Sequence, residues 1–211
     1  MRANQWKKLS TKLLKLADKY ARDLKRQVEL RIEEMKDDDT SHYLLYRVLG
    51  VTNDEGNLID VYQNKGRFLY KYAGAFLEEA ALTCMKYKYP ESAKVKIPNT
   101  LGSKPKTFEI DCLVNGFAHE IKWRDATTDG DHITKEHTRV KVIQAKGYVP
   151  IRIVFYYPQR IQAKKIQETL ETLYNGIGGK YFYGDAAWKY IESYTGINLL
   201  DILERISASR E

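Results

Sequence analysis

Period-two apolar runs set between amphipathic helices predict a mixed α/β fold, a central sheet flanked by helices with further helices at both ends. Three observations carry that expectation. The runs TFEIDCLV (107–114) and FAHEIKW (117–123) are joined by Asn115-Gly116, the strongest short hairpin signal. The near-continuous apolar run VPIRIVFYY (149–157) suits an interior strand. Helical three- and four-residue spacing covers most of the remaining chain.

In order, Trp6, Leu9, Leu13, Leu16, Tyr20, Leu24, Val28, Ile32 and Met35 form the stripe of one long amphipathic helix, suited to packing or to dimer formation. Its repeat drifts from a strict heptad after Tyr20, which argues against a coiled coil. Asp37, Asp38 and Asp39 then read as a solvated turn. A short helix is expected over 41–49, stopped by Gly50, and a polar turn over Asn53–Asn57. A helix from Val61 to about Tyr87 buries Phe68, Leu69, Tyr72, Phe76, Ala80, Ala81, Cys84 and Met85, with Gly66 as a break or start. Val95 and Ile97 mark a short strand ended by Pro98. After the hairpin come a helix over 134–146, the interior strand, and helices over 161–174, 185–194 and 198–206, the last two capped by Asp185 and Asn198. From Val61 to Tyr157 the order is helix, three strands, helix, strand.

The 211 residues include 43% hydrophobic and 12% aromatic side chains, enough for a real core and incompatible with a disordered tail. Cys84 and Cys112 are too few for a disulfide framework and lack the spacing of a structural zinc site; both read as core, in a reducing cytoplasm. No apolar run is long enough for a membrane span, so no membrane partner is expected. Of the net charge of +7, most lies between Arg2 and Lys36, where eleven basic residues face five acidic ones. Lys86–Lys106 carries six basic residues against Glu91, and Lys135–Lys165 eight against Glu136. Basic flanks around an acidic centre suit a polyanion held at its edges, although a lysine-rich solvated surface gives the same count.

The hairpin holds the chemistry. A two-residue turn pairs Val114 with Phe117 and sets Asp111 opposite Glu120, their Cβ atoms about 4.5–5.5 Å apart. Alternation puts Glu109 and Lys122 on the same face, and Phe108, Ile110, Cys112, Val114, Phe117, His119, Ile121 and Trp123 on the other. Two opposed carboxylates are costly unless a cation compensates them. The alternative is a solvent-facing hairpin with an ordinary Glu109–Lys122 ion pair.

Ile110-Asp111 followed by Glu120-Ile121-Lys122 on paired strands resembles the PD-(D/E)xK nuclease signature, with Ile110 in place of the usual proline. The surrounding element order resembles that family's restriction-endonuclease-like αβββαβ core. The stretches HEIKWRDATTDGDHITKEHTR and YQNKGRFLYKYAGAFLEEA further resemble ApaLI-like type II restriction endonucleases. The resemblance implies a single nuclease domain: a helical extension to residue 60, a catalytic core over 61–157 and carboxy-terminal helices over 158–211. It implies Mg²⁺ held by Asp111, Glu120 and the Ile121 carbonyl, with Lys122 at the scissile phosphate. Glu78 is the expected third carboxylate, because Ala81, Leu82 and Met85 follow it on the buried face; Glu79 is the fallback.

The same resemblance implies double-stranded DNA as partner and a homodimer on a palindromic site. The segment after Lys122 offers Arg124, Asp125, Thr127, Thr128, Asp129 and His132 for base or phosphate contacts, and the following helix offers Lys135, His137 and Arg139. A repair or junction nuclease, or a non-catalytic DNA-binding protein on the same scaffold, would carry much of the same pattern. Gly176-Ile177-Gly178-Gly179-Lys180 lacks the first glycine and the Ser/Thr of a phosphate loop and reads as a turn. His132 and His137 are five apart, wrong for a shared helical metal face.

Overall fold

Asn115 (φ 49°) and Gly116 (φ 77°) both adopt the left-handed backbone that a tight hairpin corner needs. They join β2 (Thr107–Val114) to β3 (Phe117–Arg124), pairing Val114 with Phe117, Leu113 with Ala118 and Cys112 with His119. The computed structural model describes residues 3–102, 104–124 and 130–210. Its described residues divide into two units, residues 1–13 with 77–211, and residues 14–76.

The first unit holds one five-stranded mixed sheet in the order β1-β2-β3-β4-β5, with β1 (Ala93–Pro98), β4 (Val149–Tyr156) and β5 (Lys180–Tyr183). β1, β2 and β3 are antiparallel neighbours, whereas β3, β4 and β5 run parallel. The expected interior strand is β4. The strand β5 was not expected: its four residues follow the glycine turn too closely to show a period of their own.

Helices α4 (Gly130–Ala145) and α5 (Ile161–Gly176) cover one face of the sheet. There Phe108, Ile110 and Ala118 pack with Val142 and Ile143, and Val154 and Tyr181 pack with Val140, Ile166, Leu170 and Tyr174. On the other face, α6 (Asp185–Thr195) lays Trp188 on Phe155 and stacks Tyr190 on Phe182, each at 4.3 Å between ring centroids. The last helix, α7 (Leu199–Ala208), is capped as expected by Asn198, which accepts from the Asp201 amide at 2.9 Å. Gly184, not Asp185, holds the cap position of α6.

The second unit contains most of α1 (Ala3–Glu34), α2 (Tyr43–Val48) and the first part of α3 (Asn53–Lys88). Tyr20 meets Tyr72 and Phe76 edge-on. Asn53–Asn57 is helical rather than a turn. Thr52 and Glu55 form a reciprocal capping box, Glu55 accepting from the Thr52 amide at 2.9 Å and Thr52 from the Glu55 amide at 3.2 Å. Gly56 fits beneath the Tyr46 ring, where a Cβ would approach Cδ2 to 2.6 Å. Asp38 and Asp39 satisfy Arg31 and Ser41, as a turn requires.

Strict alternation fails in β2. Ala93 pairs with Leu113 but Val95 with Ile110, so Lys94 faces two residues, Asp111 and Cys112. This β-bulge puts Phe108 and Ile110 in one cluster with Ala118, not with Phe117 and His119 as the uninterrupted period predicted. Beyond the bulge, buried His119 donates from Nδ1 to the Cys112 carbonyl at 3.0 Å and accepts from the Tyr190 hydroxyl at 2.8 Å. Burial lowers its pKa to about 4. The unfolded chain therefore binds a proton that the fold refuses, so stability falls as pH drops from about 6.5 towards 4, by about 1.4 kcal/mol per unit at most. Urea unfolding across that window should show the protein losing stability relative to His119→Gln as pH falls, a difference that isolates His119 from the opposing titration of buried Asp111.

Candidate active site

The last pair in the β2–β3 ladder is Cys112 with His119; one residue further, the side chain of Asp111 takes over. Its Oδ2 accepts from the Ile121 amide at 2.8 Å, which pins a buried carboxylate where the two strands separate. Lys122 reaches back so that its Nζ lies 3.9 Å from Asp111 Oδ2 and in contact with Glu120 Oε1. Glu120 also pairs with Arg139 from α4. Asp111, Glu120 and Lys122 thus converge at the strand separation.

Two charge systems meet there. On the side of α3, one carboxylate oxygen each from Glu78, Glu109 and Asp111 lies within 4.8 Å of the others. Lys94 Nζ bridges Glu78 at 2.5 Å and Glu109 at 2.8 Å. On the side of α4, buried Glu136 accepts from Arg152 Nη1 at 3.1 Å and from the Tyr174 hydroxyl at 3.0 Å, with Arg139 Nε at 3.3 Å. Arg152 neighbours Glu120 in the parallel β3–β4 ladder and is fully buried. The Glu109–Lys122 pair of a solvent-facing hairpin does not describe this site, since both residues take other partners.

Electrostatics separates the two acids. Burial, then the nearby Glu120 charge, raises the Asp111 pKa well above the ordinary carboxylate range. Burial alone would raise Glu120 too, but Lys122, Arg139 and Arg152 outweigh it and hold that group below its ordinary value. Burial would also discharge Lys122, yet Glu120 and Asp111 more than compensate and keep its ammonium charged. Oxygen-only donors at Glu78, Glu109 and Asp111 fit a hard divalent cation such as Mg²⁺.

A family model of ApaLI-like restriction endonucleases matches residues 3–208, nearly the whole chain. The chain belongs to the ApaLI-like restriction endonuclease family. No curated protein and no solved structure matches it.

In this ApaLI-like chain, β3 leads from Lys122 into a cleft of about 560 Å³ lined by Trp123, Arg124, Tyr156, Tyr157, Gln159 and Arg160 among others. The Arg124 guanidinium lies 5.7 Å from the Trp123 ring centre. Lys135 and His137 are exposed on α4. Arg139, also on α4, pairs with Glu120 and Glu136. Asp125, Thr127, Thr128 and Asp129 lie outside the described residues, as does the side chain of His132. Glu78 stands with Asp111, as its helical position suggested. Sequence reasoning missed Lys94, Glu136, Arg152 and Tyr174 as members of the site. Two of them left a signal, Arg152 as the one charge in an apolar strand and Glu136 as the lone acid in a basic stretch.

Among the described residues, no helix is long and apolar enough to cross a membrane.

Proposed function

We propose that this protein is a Mg²⁺-dependent type II deoxyribonuclease that hydrolyses both strands of double-stranded DNA at a short palindromic site, acting as a homodimer. The observation that carries the reading is the convergence of Asp111, Glu120 and Lys122 where β2 and β3 part, with Lys122 Nζ 3.9 Å from Asp111. Asp111 would hold the metal, with Glu78 and Glu109 already within reach and Glu120 held across Lys122. A bound Mg²⁺ supplies charge stabilisation at the phosphate and acidifies a water.

Lys122 stays protonated between two acids, so at neutral pH it acts as an electrostatic partner of the phosphate and not as a base. Arg139 and Arg152 keep Glu120 ionised and fixed. The aromatic and arginine side chains of the neighbouring cleft suit stacking against bases and pairing with phosphate. Two-fold symmetry in the protein would match a palindromic target.

A plasmid digest with and without Mg²⁺, followed by mapping of the ends, tests the reading. Discrete metal-dependent fragments are expected. Cuts confined to branched DNA would indicate a junction nuclease, and binding without cuts a non-catalytic protein. Lys122→Ala should cut at least about 100-fold more slowly while retaining DNA affinity in a gel-shift assay; undiminished cutting would remove Lys122 from the site.

A further inference from the structure

Lys94 reaches the carboxylate group from the edge strand β1, at the position facing the bulge that places Asp111. Its ammonium bridges Glu78 and Glu109, two of the three carboxylates that would surround the metal, so it already sits among the oxygens a divalent cation needs. Its side chain remains 41% exposed, which leaves it a path into solvent.

We propose that Lys94 is a tethered counter-cation of the metal site: it neutralises Glu78 and Glu109 in the metal-free protein, and a divalent ion binds only by displacing it. This rests on the metal-dependent reading above and adds a residue to it. Carboxylates crowded within 4.8 Å of one another disfavour each other's charge, and one ammonium offsets only part of that repulsion. A divalent ion offsets more, but must first separate Lys94 from both partners, which weakens its apparent affinity.

Once displaced, the ammonium stands free beside the site and can pair with a DNA phosphate. DNA should therefore strengthen metal binding, and metal should strengthen DNA binding by the same factor. The site would stay largely closed to the ion until substrate arrives.

The test is a Mn²⁺ titration of the full chain, followed by electron paramagnetic resonance, on the parent, Lys94→Met and Asp111→Asn, with thermal unfolding in Mn²⁺ and in EDTA. Lys94→Met should bind Mn²⁺ at least about tenfold more tightly and show a larger gain in Tm on adding Mn²⁺ than the parent. A variant that folds only when Mn²⁺ is present would support the proposal equally. Equal or weaker binding by Lys94→Met, or no binding by either protein, overturns it. Mn²⁺ binding that survives Asp111→Asn unchanged would instead refute the metal site assigned under the proposed function, whatever Lys94 does.

Discussion

Asp111→Asn reduces cleavage by about 1,000-fold or more and, in EDTA, raises the melting temperature. The two effects share one cause. Asp111 is a buried carboxylate repelled by Glu120 and Glu78, so the fold favours its protonated form. Its folded pKa is raised, so the group costs nothing at acid pH, where it is protonated in both the folded and unfolded states. The penalty grows as pH rises past the ordinary carboxylate value and levels off above the folded pKa. An elevation of even one unit corresponds to about 1.4 kcal/mol. Asparagine keeps an oxygen for the Ile121 amide and carries no charge, so the stability gap should open from about pH 4 upward. Cleavage assays beside thermal unfolding at pH 4.5 and 8 check both halves. A variant less stable than its parent at pH 8 in EDTA would show that the carboxylate is not strained.

Arg152→Met produces the largest expected loss of stability, about 3–5 kcal/mol. The guanidinium is fully buried on an interior strand and is paired with Glu136, which Tyr174 and Arg139 also hold. Removing it leaves a buried carboxylate short of a partner in surroundings that water does not reach. Adding Glu136→Gln to the variant removes the orphaned charge and should restore part of the loss, a coupling that a double-mutant cycle in urea would measure. If the two losses simply add, Arg152 and Glu136 do not act as a pair.

The hairpin shows how much of this site is legible in a sequence. Asn115-Gly116 sets the turn and the turn sets the register as far as the Cys112–His119 pair, steps that are local and follow from backbone geometry; the expected direct pairing of Asp111 with Glu120 gives way to a bond from the Ile121 amide to the Asp111 side chain. The bulge at Asp111–Cys112 is not local. It arises against β1, and it changes which face Phe108 and Ile110 share with Ala118. The partners of each acid were hidden for the same reason. Lys94 lies on β1 whereas Glu78 lies on α3 and Glu109 on β2, and Arg152 neighbours Glu120 through the parallel β3–β4 pairing. The strand β5 was missed because four residues after a glycine turn are too short for periodicity to show. Asn53–Asn57 was misread because its turn-forming composition hid a capping box that favours a helix.

The Glu120–Arg152 neighbourhood has a practical consequence for anyone wishing to retarget the enzyme. One member belongs to the proposed reaction centre and the other is a fully buried, ion-paired side chain of the interior strand, so exchanges at either are expected to cost activity and stability together. Libraries aimed at new target sequences should leave both positions alone and start from the cleft that Arg124, Gln159 and Arg160 line, apart from the Glu120–Arg152 pair.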